Sequence, residues 1–105
     1  MKKYLLIVCS VFLFACKANA ADVTLFYMPT CPHCHHAMGF FEKEMKTTTV
    51  EKVDVSKGGK NAERFFAQLK KCNITSQGVP LMVIKGKCLQ GFGSESGDKI
   101  KNMLK

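Results

Sequence analysis

The sequence has almost no arginine: Arg64 is the single one among sixteen basic residues, and the others are lysine. Specific nucleic-acid readers favour clustered arginine with aromatic side chains interleaved. Here the lysines are scattered as Lys57/Lys60, Lys70/Lys71, Lys85/Lys87 and Lys99/Lys101/Lys105. They read as a solvated surface rather than a nucleic-acid partner site, while still able to attract acidic substrates. The chain also lacks an apolar run of the ~20 residues that a bilayer-spanning helix needs. Its longest, Tyr4 to Ala15, is broken by Cys9 and Ser10, so no transmembrane segment is expected in the mature protein. No internal repeat, low-complexity tract or long linker is present, and 105 residues hold at most one small domain.

The opening residues are built differently from the rest. Met1-Lys2-Lys3 is positive, Tyr4 to Ala15 is apolar, and Ala18-Asn19-Ala20 supplies a small-residue cleavage pattern before Ala21. That order is the layout of a secretory signal peptide over residues 1–20. It leaves residues 21–105 as the mature domain and predicts a periplasmic or secreted location. A lipoprotein signal is the lesser alternative: Leu13-Phe14-Ala15-Cys16 would anchor the chain at Cys16, but bulky Phe14 fits that pattern poorly. A buried N-terminal strand or helix is the bland alternative. Losing Lys2, Lys3 and Lys17 leaves thirteen basic residues against eight acidic ones, a mildly basic domain. Cys9 and Cys16 leave too, so Cys31, Cys34, Cys72 and Cys88 remain. Four cysteines in a small exported domain point to disulfide chemistry, with three pairings open.

Val23-Thr24-Leu25-Phe26-Tyr27 is β-branched and aromatic and predicts a buried strand. It stops at Pro29-Thr30, where Thr30 and Cys31 precede Pro32, a residue suited to a first helical turn. Met38, Phe41 and Met45 then form a helical stripe, widened by Phe40. Val50 to Val55 predicts a second strand, and Gly58-Gly59 a break. A second helix follows, with Ala62, Phe65, Phe66 and Leu69 on one face and Cys72 at its end. Gln77-Gly78-Val79-Pro80 turns the chain into the central strand Leu81-Met82-Val83-Ile84. Gly86-Lys87 is a hairpin connection into Cys88-Leu89-Gln90. Ser94 or Ser96 would cap a last helix carrying Ile100, Met103 and Leu104. The order β-α-β-α-β-β-α is an α/β fold: one mixed four-stranded sheet covered by helices, with a parallel pair and an antiparallel edge.

Cys31-Pro32-His33-Cys34 falls where the first strand hands over to the first helix. A helix N-terminus carries about half a positive charge and unpaired N–H groups, so it stabilises an anion. Thiol–disulfide exchange proceeds through the thiolate, which is such an anion. Cys31, nearest the helix end, is the expected nucleophile, and Cys34 lies one turn further in to pair with it. Pro32 sets the turn without wasting a backbone donor. His33 can donate to the thiolate or stand by as a cation, which makes the pair more oxidising.

The same residues carry other meanings. Cys31-Pro32-His33-Cys34-His35 satisfies the pattern for covalent haem attachment. Such sites belong to mainly helical chains, whereas this one follows a strand and precedes a strand-rich half. A metal site from Cys31, Cys34 and His33, His35 or His36 would need a second ligand cluster, which the chain lacks. A purely structural bond is the bland alternative. An exported haem- or metal-binding module therefore stays as the second hypothesis, and no native metal site is expected.

The run Phe26-Tyr27-Met28-Pro29-Thr30-Cys31-Pro32-His33-Cys34, followed by Gly78-Val79-Pro80 and then Gly86 and Gly91, resembles the glutaredoxin and thioredoxin superfamily across residues 22–105. The Pro-His dipeptide is similar to that of the periplasmic disulfide oxidants of the DsbA family, while the length looks more like a glutaredoxin. The resemblance implies a thioredoxin fold and a thiol–disulfide oxidoreductase without a resident cofactor. Cys31 and Cys34 would act with Pro32, His33 and Pro80, the last as a cis proline packed against the pair. Tyr27, Gly78, Val79 and Gly91 would meet the substrate, the Val79 backbone pairing with an extended chain. Implied partners are substrate proteins or small thiols, held as mixed disulfides, and a redox partner that recycles the pair; a monomer is expected. Glutathione is a candidate co-substrate. Glutaredoxins usually carry a Gly-Gly pair and an acidic residue there, and this chain reads Gln90-Gly91-Phe92-Gly93-Ser94-Glu95, with Glu95 the candidate for the amino group.

Cys72 and Cys88 would be either buried free thiols or a structural bond. A bond is favoured in an oxidising compartment, because closing that loop stabilises by roughly 3 kcal/mol in the chain-entropy model.

Overall fold

The structure, a computed structural model, describes residues 21–105; the segment read as a signal peptide, with Cys9 and Cys16, lies outside the described residues. Strands β1 (Val23–Tyr27), β2 (Val50–Asp54), β3 (Leu81–Ile84) and β4 (Lys87–Gln90) make one sheet in the order β2-β1-β3-β4. β1 runs parallel to β2, with Val23 opposite Val50, and antiparallel to β3, with Val23 opposite Ile84. β3 and β4 form an antiparallel hairpin. Helices α1 (Pro32–Glu44), α2 (Gly59–Lys71) and α3 (Ser96–Leu104) complete the β-α-β-α-β-β-α order. This is the mixed four-stranded thioredoxin arrangement that the element order predicts.

Alternation along the two central strands divides the core between the faces of the sheet. Val23 and Leu25 of β1 join Met82 and Ile84 of β3 on one face, under Ala37 and Phe41 of α1 and Ile100 of α3. Phe26 and Leu81 point the other way, to Val53, Val55, and Phe65 and Leu69 of α2. Both central strands are therefore covered on both faces, which is why they read as nearly continuous apolar runs. Gly97 lets α3 lie close to α1: a Cβ there would stand 2.9 Å from Cε1 of Phe40.

Several local expectations shift. In α1 the fully covered positions are Cys34, Ala37 and Phe41, while Met38, Phe40 and Met45 are half-buried at the edge of the core. β2 ends at Asp54, and Val55 belongs to a short 3-10 turn that Asp54 caps by accepting from the Ser56 N–H at 2.9 Å. Phe66 does not share the buried face of α2; it is 48% exposed. The hairpin turn is Lys85-Gly86, both at positive φ, so Lys87 already belongs to β4. Neither serine caps α3: Glu95 occupies the cap position without a side-chain bond, and Ser96 Oγ instead accepts from the Gly93 N–H at 2.8 Å.

Candidate active site

The end of β1 delivers the chain to one end of the sheet, and Met28-Pro29-Thr30 turns it into α1. The Cys31 N–H donates to Met28 O at 3.1 Å, closing that turn. Cys31 then takes the N-cap position of α1 with extended backbone, and Pro32 opens the helix. In a serine or aspartate cap a side-chain oxygen would accept the free helix N–H. Here the acceptor is sulfur: the Cys34 N–H donates to Cys31 Sγ at 3.1 Å. Both the dipole of a three-and-a-half-turn helix and this donor favour negative charge on that sulfur.

Cys31 and Cys34 are disulfide-bonded, with Cα atoms 5.2 Å apart. Their exposures differ sharply: Cys31 is partly open to solvent, and Cys34 is 0% exposed beneath it. An attacking group can therefore reach only the first sulfur. His35 braces the approach. Its backbone N–H donates to Cys31 O at 3.2 Å, and its ring Nε2 lies 2.6 Å from Pro29 O, where a ring N–H donates to the carbonyl.

The second wall comes from the segment before β3. The Val79–Pro80 peptide is cis, Pro80 is buried, and Val79 O lies 3.7 Å from Cys31 Sγ. Gln90, at the end of β4, holds this wall in place: its Nε2 donates to Ser76 O at 3.0 Å and to Gly78 O at 2.9 Å. The Gly91 N–H donates to Pro80 O at 2.7 Å, with Gly91 at φ +85°. A shallow cleft of about 320 Å³ lies alongside, lined by His33, Val79, Gln90, Gly91, Phe92 and Ser96 among others.

The fold thus assembles Cys31, Cys34, Pro32, His33, Val79, Pro80 and Gly91 at one end of the sheet. Tyr27 is half-buried against the core beneath α1, and Gly78 is exposed; neither lines the cleft. Glu95 is exposed and also outside it. Gln90 and His35 brace the site in a way the sequence does not indicate: Gln90 reads as the end of the edge strand and the head of the Gln90–Glu95 stretch, and His35 as part of the haem and metal patterns. Among the described residues no three His, Cys, Asp or Glu side chains are grouped as metal ligands would be. Cys72 and Cys88 lie away from this site and are disulfide-bonded, with Cα atoms 6.2 Å apart.

No family model and no curated protein matches the sequence. Solved structures do match the fold. A glutaredoxin from Archaeoglobus fulgidus superposes with a TM-score of 0.65 at 21% identity, covering 84% of this chain and 90% of that one. A buckwheat glutaredoxin, in a complex with glutathione, gives 0.62 at 20% identity over 82% and 78% of the two chains. A thioredoxin-like protein gives 0.59 at 24% identity over 78% and 96%. Sheet order, helix placement and these neighbours define a thioredoxin fold. Within that class its form is glutaredoxin-like, with a Cys-x-x-Cys disulfide at the start of α1.

Proposed function

We propose that this chain is a thiol–disulfide oxidoreductase that exchanges the Cys31–Cys34 pair with thiols of substrate proteins or small molecules. One arrangement carries the proposal: a partly exposed sulfur, fed by a helix N–H at 3.1 Å, bonded to a sulfur with no exposure at all. When the pair oxidises a substrate, a substrate thiolate attacks Cys31 Sγ and the bond to Cys34 breaks, its electron pair leaving on Cys34. A second substrate thiolate then attacks the substrate sulfur of the mixed disulfide and expels Cys31 as a thiolate. The substrate loses two electrons and the pair gains them. In the reverse direction, the Cys31 thiolate attacks a substrate disulfide and Cys34 resolves the adduct. The helix terminus stabilises charge on Cys31 in both directions.

The Val79 carbonyl and the cleft beside it suit an extended backbone laid across the disulfide, the mode in which a peptide adds to a strand-like edge. His33 and Pro32 tune the pair, and glutathione is one candidate for the small thiol. The charged, apolar and small-residue order of residues 1–20 supports export to the periplasm or beyond, where a separate redox partner would reset the pair. Among the described residues no helix is long and apolar enough to cross a membrane.

Trapping tests the proposal. Cys34→Ser should accumulate mixed disulfides through Cys31, and Cys31→Ser should abolish exchange with a model disulfide. Unchanged turnover in both variants would end it.

A further inference from the structure

We infer that Cys72–Cys88 is a second thiol-exchange site, one that takes an anionic low-molecular-weight thiol from solution. The bond ties the C-terminal cap of α2 to the edge strand β4. A bond whose only role is to staple a core is best shut away from attack. Both of these cysteines are instead half-buried, and both line a surface cleft of about 510 Å³. The remaining lining is Gln68, Lys71, Val83, Gly86 and Lys87: two ammonium groups and no carboxylate. That balance concentrates anions at the sulfurs. The Gln68 side-chain amide lies 3.4 Å from Cys72 Sγ and 3.6 Å from Cys88 Sγ, so a single N–H donor serves whichever sulfur becomes charged.

The two ends of the bond are not equivalent. Cys72 caps the C-terminal end of α2, where the helix dipole is negative and a thiolate is disfavoured. This is the reverse of Cys31, which sits at a positive end. Cys88 is on a strand, clear of that negative helix end, and is the better leaving group. The entering thiolate therefore bonds to Cys72 Sγ, the Cys72–Cys88 bond breaks, and its electron pair leaves on Cys88. A second thiolate attacking the adduct's outer sulfur expels Cys72 and completes a two-electron reduction of the pair by two thiols.

The test uses reduced glutathione as the anionic thiol and 2-mercaptoethanol as the neutral one, at equal thiolate concentration. Both are added to the full chain and to a Cys31→Ser/Cys34→Ser variant that keeps Cys72–Cys88 without the first pair. Acid quenching, alkylation and peptide mass mapping should find the glutathione adduct on Cys72 and the alkyl group on Cys88. Lys71→Glu with Lys87→Glu should slow glutathione, whose attacking thiolate carries two net negative charges, about tenfold, and 2-mercaptoethanol, whose thiolate carries one, only about threefold, with Lys→Gln at both positions intermediate. Circular dichroism checks that each variant is folded. The inference is overturned if no adduct forms where an unstructured peptide disulfide opens, if the adduct maps to Cys88, or if charge reversal slows both thiols alike. Because the serine variant lacks the first pair, failure here is distinct from failure of the proposed oxidoreductase.

Discussion

Replacing Gln90 by alanine isolates the bracing of the Val79 wall from the chemistry of the cysteines. Gln90 makes two neutral amide–carbonyl bonds, at 3.0 and 2.9 Å, to Ser76 and Gly78. Each such bond contributes about 1 kcal/mol net. Both acceptor residues are exposed, so water recovers part of the loss and the total cost should be about 1–1.5 kcal/mol. For a domain of this size that lowers Tm by roughly 5–10 °C. Gln90→Glu should cost at least as much at neutral pH, because it faces two carbonyl oxygens with a carboxylate instead of a donor. Part of the loss should return in acid, when the introduced carboxyl can donate. Loosening Val79, whose carbonyl lies 3.7 Å from Cys31 Sγ, should lower kcat/KM for a peptide disulfide about fivefold, mostly through KM. Alkylation of reduced Cys31 by a small reagent should keep its wild-type rate. Thermal melts, steady-state kinetics and alkylation rates read the three effects separately. A Gln90→Ala protein with Tm within about 1 °C of wild type and an unchanged KM would refute the bracing role.

Further expectations concern the frame. Ile100 is 0% exposed and is the buried anchor of α3, so Ile100→Ala should destabilise by about 3 kcal/mol in urea titrations; a loss below about 1 kcal/mol would mean that α3 is not docked there. Replacing both Cys72 and Cys88 by alanine opens a loop with a sequence separation of 16 and should remove roughly 3 kcal/mol relative to the oxidised protein. Equal stability of the two would show that the loop is constrained without the bond. The Arg64 guanidinium holds the Glu51 carboxyl below the usual carboxylate range through hydrogen bonds at 2.8 and 3.1 Å. The pair's contribution is therefore present above the ordinary value of 4.5 and is lost as pH falls through the lowered one. Both side chains are nearly half exposed, so Glu51→Gln should cost no more than about 0.5 kcal/mol at pH 7 and nothing near pH 2. A gap that persists in acid would contradict the sign.

Much of the fold was legible because its signals are local. Strand β3 reads as Leu81-Met82-Val83-Ile84 without interruption since it is covered from both sides, and Pro32 after Cys31 marks the start of α1. Which face of a helix wins is a different matter. Met38, Phe41 and Met45 and the observed Cys34, Ala37 and Phe41 are both acceptable helical stripes. Only the position of the sheet chooses between them, and it chooses small Cys34 and Ala37 because α1 lies close over β1 and β3. Phe66 failed for the same reason: hydrophobicity places it inside, but α2 turns it outward beside Phe65.

Residue order alone established the strand–helix sequence and the placement of Cys31 and Cys34 at a helix start. These follow from periodicity and from turn residues acting within a few positions of one another. Tertiary structure decided which groups from distant segments meet at Cys31. Val79 stands 48 positions away, and it is held there by Gln90, which hairpin geometry brings back to Ser76 and Gly78. It likewise put Cys72 and Cys88 together in a lysine-lined cleft. Such contacts depend on strand order and register, and no short stretch of sequence encodes either one.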